Sequence, residues 1–230
     1  MIDFHSHILP CVDDGSQSVE ESLLMIQMLA KQGVTSVVAT PHFNPDKESV
    51  DEFVRRRKDA LDKLSPQLLP DAPQIILGAE IAYYEGLSNL ENLSDLCIGN
   101  TKLLLIEMPM SKWSGFAVDE LKKISNVKGF TIIIAHIERY MKAQPSATLQ
   151  ELRSIGVLFQ VNASFFIRLS TRKKAIRMLR NGEIDALGSD CHNTSSRPPC
   201  IDRAYDVICS KTSESFLSDF TEYQRSLISD

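Results

Sequence analysis

Seven short, almost continuous apolar runs recur along the chain at 2–5, 35–40, 74–80, 102–108, 130–136, 157–163 and 183–190. Amphipathic stretches separate most of them, with helical periodicity at 19–31, 49–64, 117–124, 148–154 and 171–180, and helix predicted for most of the chain beyond about 202. A strand that is apolar at every position is buried on both faces, as in a parallel sheet whose crossover helices cover it. The alternation therefore predicts an α/β fold, either an open doubly wound sheet or a closed barrel. At 230 residues, with 43% hydrophobic and 24% charged residues, the chain can bury a proper core. It is read as one domain spanning 1–230 rather than as a disordered polypeptide.

The polar residues choose between sheet and barrel. All five histidines lie at or just beyond the carboxyl end of a predicted strand: His5 and His7, His42, His136 and His192. Glu80 and Glu107 mark two more runs, Asp190 ends the run that His192 follows, and Asp13 and Asp14 follow the first. Chemistry at the carboxyl ends of many strands is what a TIM-like barrel produces, because those ends converge on one mouth. An open sheet gathers its site at one switch point, from fewer strands. A distorted seven-stranded barrel is the expectation.

Glu80 and Glu107 close strongly apolar runs, where a carboxylate must be paired or bound to a cation. Imidazole and carboxylate donors without thiolate suit Mn, Fe or Zn, and these donors are too many for one ion. Three divalent ions would bring +6 against about −4 from four carboxylates, and the surplus suits a phosphate dianion. The rest of the composition narrows the setting. With 25 Lys+Arg against 30 Asp+Glu the net charge is −5, which disfavours capture of nucleic acid or of an anionic membrane. The start MIDFHSH has no leader-like apolar segment, and no run reaches the roughly 18–20 apolar residues of a membrane span. Five cysteines without paired spacing complete the expectation of a cytoplasmic protein with reduced thiols.

The strings HSH, TPHF, GAE, AHIERY and GSDCHN together resemble the PHP (polymerase and histidinol phosphatase) superfamily. DFHSHILPCVDDGS, HIERY, QVNAS and SDCHN followed by SRPP are most similar to its bacterial capsule- and exopolysaccharide-linked protein tyrosine phosphatases. The resemblance runs from Met1 to about Pro199. It implies a distorted (β/α)7 barrel with a trinuclear metal cluster, commonly manganese. Carried over by motif, His5, His7, Glu80 and Asp190 would hold one ion, and Glu80, Glu107 and His136 a second. Asp14, His42 and His192 would hold the third, with Asp14 preferred over Asp13 because it adjoins the glycine of DDG. Arg139 and Arg197 match the phosphate-binding arginines, whose planar fork suits paired phosphoryl oxygens. The implied partner is a phosphotyrosine protein, the tail of an autophosphorylating tyrosine kinase. The alternative within the superfamily is histidinol-phosphate phosphatase.

Several features stand apart from that pattern. Cys11 replaces a carboxylate common in related sequences, and the 164–170 segment makes an unusual rim. Cys191 and Arg197 satisfy C-x5-R, the signature of thiol-dependent phosphatases, but the stretch between them lacks glycine and runs into Pro198-Pro199. The RRRK run at 55–58 reads as a solvated helix face, and Trp113 as a packing or rim residue.

Overall fold

The computed structural model describes residues 1–229. Its elements alternate in chain order: β1 (Ile2–Ser6), α1 (Val19–Lys31), β2 (Ser36–Ala39), β3 (His42–Phe43), α2 (Val50–Leu64), β4 (Gln74–Leu77), β5 (Glu80–Ala82), β6 (Leu103–Glu107), α3 (Gly115–Lys122), β7 (Thr131–Ile134), α4 (Ser146–Ser154), β8 (Leu158–Asn162), α5 (Ala163–Ile167), α6 (Leu169–Arg180), β9 (Ala186–Gly188), α7 (Ile201–Lys211) and α8 (Glu214–Ile228). Every strand pairing is parallel.

The order β1-β2-β4 forms one sheet and β3-β5-β6-β7-β8-β9 the other. They are parts of one ring, because the second predicted strand resumes beyond its expected end as β3 and the third is broken in two. Thr40-Pro41 separates β2 from β3, and proline has no N–H to give to a ladder. Gly78-Ala79 separates β4 from β5, where a Cβ on Gly78 would lie 3.2 Å from Ile98 and 3.3 Å from Val38. The lower halves, β2 and β4, pair with each other, and the upper halves bring His42 opposite Glu80.

The ring closes between the first and last strands. Asp190 N–H donates to the His5 carbonyl at 2.8 Å, and His7 N–H donates to the Cys191 carbonyl at 2.9 Å. Beneath them the fully buried Asp3 carboxylate accepts from the Ser189 N–H at 2.8 Å and its hydroxyl at 2.6 Å. Burial pushes the Asp3 carboxyl up to about 6 even against those bonds. The structure is thus a distorted (β/α)7 barrel.

Two apolar clusters support it. The larger fills the space between the ring and its helices, with Met25, Leu29, Phe53, Leu121 and Ile208 on the helical side. The smaller gathers Ile2, Phe4, Val38, Leu105, Ile133 and Ala186, with the end of α8 against it. Strands on opposite sides of a ring share a cluster only inside it, so this one plugs the barrel below the polar mouth.

Helix starts follow local chemistry. Ser18 caps α1 by accepting from the Glu21 N–H, and Ser49 with Glu52 forms a reciprocal capping box on α2. α3 begins two residues before the expected 117 because Ser114 caps it there, and it passes into a wide turn at Lys123–Val127. The 164–170 rim is helical, divided between α5 and the start of α6. The expectation for 55–58 is corrected at one residue. Arg57 is buried and donates to the carbonyls of Gly78 at 2.6 Å and Asp95 at 2.9 Å, tying α2 to the break before β5. Among the described residues no helix is long and apolar enough to cross a membrane.

Candidate metal centre

All nine predicted donor residues meet at the carboxyl end of the ring. β1 and the turn after it carry His5, His7 and Asp14. β3, β5 and β6 carry His42, Glu80 and Glu107, and the segments after β7 and β9 carry His136, Asp190 and His192. Glu80 lies at the middle. Its Oε2 is 3.2 Å from His5 Nε2, 3.4 Å from His7 Nε2 and 3.0 Å from His42 Nδ1, while its Oε1 is 2.8 Å from His136 Nε2. Asp190 Oδ1 lies 3.7 Å from His5 Nε2 and 3.5 Å from His7 Nε2. Glu107 reaches His136 at 3.5 Å and His42 at 4.0 Å. Asp14 Oδ1 lies 3.4 Å from His42 Nε2 and 3.5 Å from His192 Nε2.

This arrangement fits cations on grounds of its own. Glu80 Oε2 is buried without a hydrogen-bond partner, although three imidazole nitrogens surround it. His5 Nε2 and His7 Nε2 are 3.1 Å apart. With Nδ1 of each ring directed to Gln160 or Asp13, the two Nε2 atoms present lone pairs to one another and to two carboxylates. A shared positive ion resolves both conflicts. Donor atoms converge in three groups: His7, Asp14, His42 and His192; His5, His7 and Asp190; His42, Glu80 and Glu107. His7 and His42 therefore each belong to two groups, a sharing that motif order did not indicate. His136 joins through its contacts with Glu80 and Glu107.

Electrostatics reflect the crowding. Burial works against the charged form of His7, but the surrounding carboxylates of Asp13, Asp190 and Glu80 outweigh that and hold its pKa well above the ordinary value, a negative surround that favours a positive charge at this point. Burial likewise opposes charge on Glu80, and the surrounding imidazoles overcome it, keeping the carboxyl well below its usual range. His192 is the opposite case. Burial, His7 and Arg197 lower it to about 4, so it is a neutral imidazole with a lone pair to give.

Neighbours aim these side chains. Asp13 Oδ2 accepts from His7 Nδ1 at 2.6 Å and from the His42 backbone N–H at 2.9 Å, whereas Asp14 is 68% exposed and faces the opening. Gln160 Oε1 accepts from His5 Nδ1 at 3.2 Å and from the His136 N–H at 2.6 Å. Gln160 donates in turn to Asn162, and Asn162 donates to Asp190 Oδ2 at 2.8 Å. The Tyr140 hydroxyl lies 3.1 Å from His136 Nδ1. Sequence reasoning assigned no role to Gln160, Asn162 or Tyr140. The signal for the first two was present as polar residues two apart inside the otherwise apolar run VLFQVNA.

The backbone bends to the same end. His136 and Asp190 have φ of 33° and 55°, a left-handed conformation that costs a non-glycine residue energy and clusters at functional sites. Gly15 and Gly188 allow close approach, since a Cβ would lie 2.3 Å from the His7 carbonyl oxygen and 2.4 Å from His5 Cβ respectively.

Arg139 and Arg197 flank the cluster and both pair with Asp190, Arg197 at 2.8 Å from Oδ1 and Arg139 with Oδ2. Each keeps more than a third of its side chain open to solvent, within reach of an incoming anion. The N–H groups of Ser195, Ser196 and Arg197 all donate to Asn193 Oδ1, a tight turn that fixes Arg197. Those amides are consequently unavailable as a phosphate cradle for Cys191. That thiol is fully buried, and burial pushes it well above its ordinary pKa, so the C-x5-R match is coincidental. Trp113 is also buried, donating from Nε1 to Pro109 at 3.0 Å and packing edge-on against Tyr140.

Comparison with known proteins agrees with this geometry. The family model described as capsular polysaccharide synthesis, CpsB/CapC, matches residues 1–226. The tyrosine-protein phosphatase CpsB of Streptococcus agalactiae serotype III (strain NEM316) is 31% identical over 222 residues, covering 91% of this chain and 90% of that one. The tyrosine-protein phosphatase YwqE of Bacillus subtilis (strain 168) is 30% identical over 204 residues, covering 86% and 79%. A solved structure from work on YwqE of B. subtilis and CpsB of Streptococcus pneumoniae, described as unique metal-dependent tyrosine phosphatases, superposes with a TM-score of 0.82 at 24% identity. It covers 99% of this chain and 94% of that one. The nine-residue polar mouth on a closed parallel ring and the match along almost the whole chain lead to one assignment: this protein belongs to the CpsB/CapC family of capsular polysaccharide synthesis.

Proposed function

We propose that this chain is a metal-dependent protein tyrosine phosphatase, a phosphomonoester hydrolase, acting within the cytoplasm as one barrel unit over 1–230. The observation that carries the reading is the Glu80-centred cluster with two partly open arginines converging on Asp190 beside it. Its curated relatives are tyrosine-protein phosphatases, which sets the substrate class.

His5, His7, Glu80 and Asp190 would hold one ion; Glu80, Glu107 and His136 a second; Asp14, His42 and His192 a third. Manganese is the metal we assign, with iron or zinc compatible with the same nitrogen and oxygen donors. When bound, such ions supply Lewis-acid polarisation and a water nucleophile at neutral pH. The protein supplies the rest. Arg139 and Arg197 hold phosphoryl oxygens and offset the charge that builds on them. Asp13 and Gln160 keep His7 and His5 in the tautomer that turns Nε2 inward. A phenolate leaves readily because its parent phenol has a pKa of about 10, so no dedicated proton donor is required. The partner in this reading is the phosphorylated tail of an autophosphorylating tyrosine kinase in capsule or exopolysaccharide regulation.

The test compares a phosphotyrosine peptide with histidinol phosphate, using protein stripped of metal and then resupplied with manganese, with chelator as control. Preference for the peptide, restored by manganese, is the expected result. Preference for histidinol phosphate would move the chain to that chemistry, and metal-indifferent activity would overturn the cluster mechanism.

A further inference from the structure

The charge on this chain is unevenly spread. Residues 168–180, RLSTRKKAIRMLR, carry six basic side chains and no acidic one, so the remaining residues carry −5 − 6 = −11. The segment forms α6, whose inner face buries Ala175, Ile176, Met178 and Leu179 against the barrel. Its outer face borders a groove of about 880 Å³ lined by Arg172, Lys173, Lys174, Arg177, Arg180 and, from α7, Lys211. No carboxylate lines that groove.

Two of these cations have internal work. Arg172 donates to the carbonyls of Phe166 and Ile167 at the end of α5, and Arg180 donates to the Lys211 carbonyl. Lys173, Lys174 and Arg177 are exposed, and among the described residues none of them makes an ion pair. What sets the helix apart is the crowding of its cations with no carboxylate among them, whereas Lys58 and Lys122 on α2 and α3 have carboxylate partners three or four residues away. Like charges four residues apart on a helix, as Lys173 and Arg177 are, repel one another, and among the described residues no carboxylate pairs with either.

The groove is also within reach of the mouth along the chain. Asn162, which holds Asp190, ends β8, and α6 begins seven residues later at Leu169. Seven residues span roughly 10 Å as helix and at most about 25 Å extended. Lys173 and Arg177 lie a further four and eight residues along α6, roughly 6 and 12 Å as helix. A polypeptide with its phosphotyrosine at the arginines could therefore reach them with about twelve flanking residues.

We propose that the α6 groove is a docking site for an acidic segment of the phosphotyrosine-bearing protein, adjacent in sequence to the tyrosine that is hydrolysed; this rests on the phosphatase reading above. A trough of unpaired cations complements an extended acidic chain, and the acidic remainder of the surface repels the same chain from other faces.

The experiment compares wild-type enzyme with a K173E/K174E/R177E variant on three substrates. These are a phosphotyrosine peptide flanked by about twelve glutamates, enough to span the distance, a neutral peptide of equal length, and p-nitrophenyl phosphate. The expected result is a KM about tenfold higher for the variant on the acidic peptide alone, with kcat unchanged and the wild-type advantage lost at high salt. Equal kinetics on the acidic peptide for the two proteins would overturn the proposal, as would a uniform loss on all three substrates. Loss of binding to phosphatidylglycerol vesicles with peptide kinetics unchanged would overturn it in favour of a membrane surface. If the wild type hydrolyses none of the three, the phosphatase reading fails, and anisotropy of a labelled acidic peptide still decides the groove. Tighter binding to wild type than to variant supports docking, and equal binding overturns it.

Discussion

The two halves of the polar mouth are built on opposite principles. On one side His5, His7, Glu80 and Asp190 are almost fully buried, and each is aimed by a further residue or crowded between others. On the other side His42, Glu107 and Asp14 are 35%, 33% and 68% exposed. Donors in the buried half have their geometry set before any ion arrives. Donors in the open half are partly set by solvent and are the ones a substrate meets. Rigidity where cations are held and openness where phosphate enters are thus separated within one cluster a few ångströms across.

Substitutions can break that contrast or sharpen it. Glu80→Gln removes the carboxylate common to both halves and should cost on the order of 10³-fold or more in kcat. Elemental analysis should show lost metal beside the assay; full metal content with normal turnover would deny Glu80 its central place. Asp13→Asn and Gln160→Leu leave every proposed donor in place but release the rings of His7 and His5. Each should weaken metal affinity by about 10–100-fold in chelator competition. Asp14→Ala acts on the open half, where water can replace the lost oxygen. It should reduce activity by about tenfold, be restored by excess manganese, and leave thermal stability unchanged. A larger stability loss for Asp14→Ala than for Asp13→Asn would erase the distinction. Cys191→Ser, in a thiol that takes no part, should retain activity within about twofold in the peptide assay.

Most of the ring and the residues that gather at its mouth were legible in the sequence, because a strand buried on both faces leaves an apolar run and a polar residue at its end stands out. The short β3 beyond the second run was not, nor was the break at Gly78, since β4–β5 reads as one strand until pairing divides it. The burial of Arg57 inside RRRK was equally hidden. Its partners are backbone carbonyls at Gly78 and Asp95, and a carbonyl leaves no mark on the sequence. The different duties of Asp13 and Asp14 depend on a turn in which one side chain reaches back to His7 while its neighbour faces out. Adjacent identical residues carry no signal of that division. Gln160 and Asn162 were visible as anomalies, and what they hold emerged only once β8 lay beside β7 and β9.

The seam between β1 and β9 has a consequence for how the protein comes into being. Asp3 meets Ser189 across 186 positions of sequence, and His5 and His7 meet Asp190 across nearly as many. Contacts this distant carry a large loop-closure cost and form late in folding. As the chain is synthesised, its first two histidines emerge long before their carboxylate partner. The donor set of the buried half therefore cannot exist on a partial chain, and its high-affinity cation capture has to follow closure of the barrel.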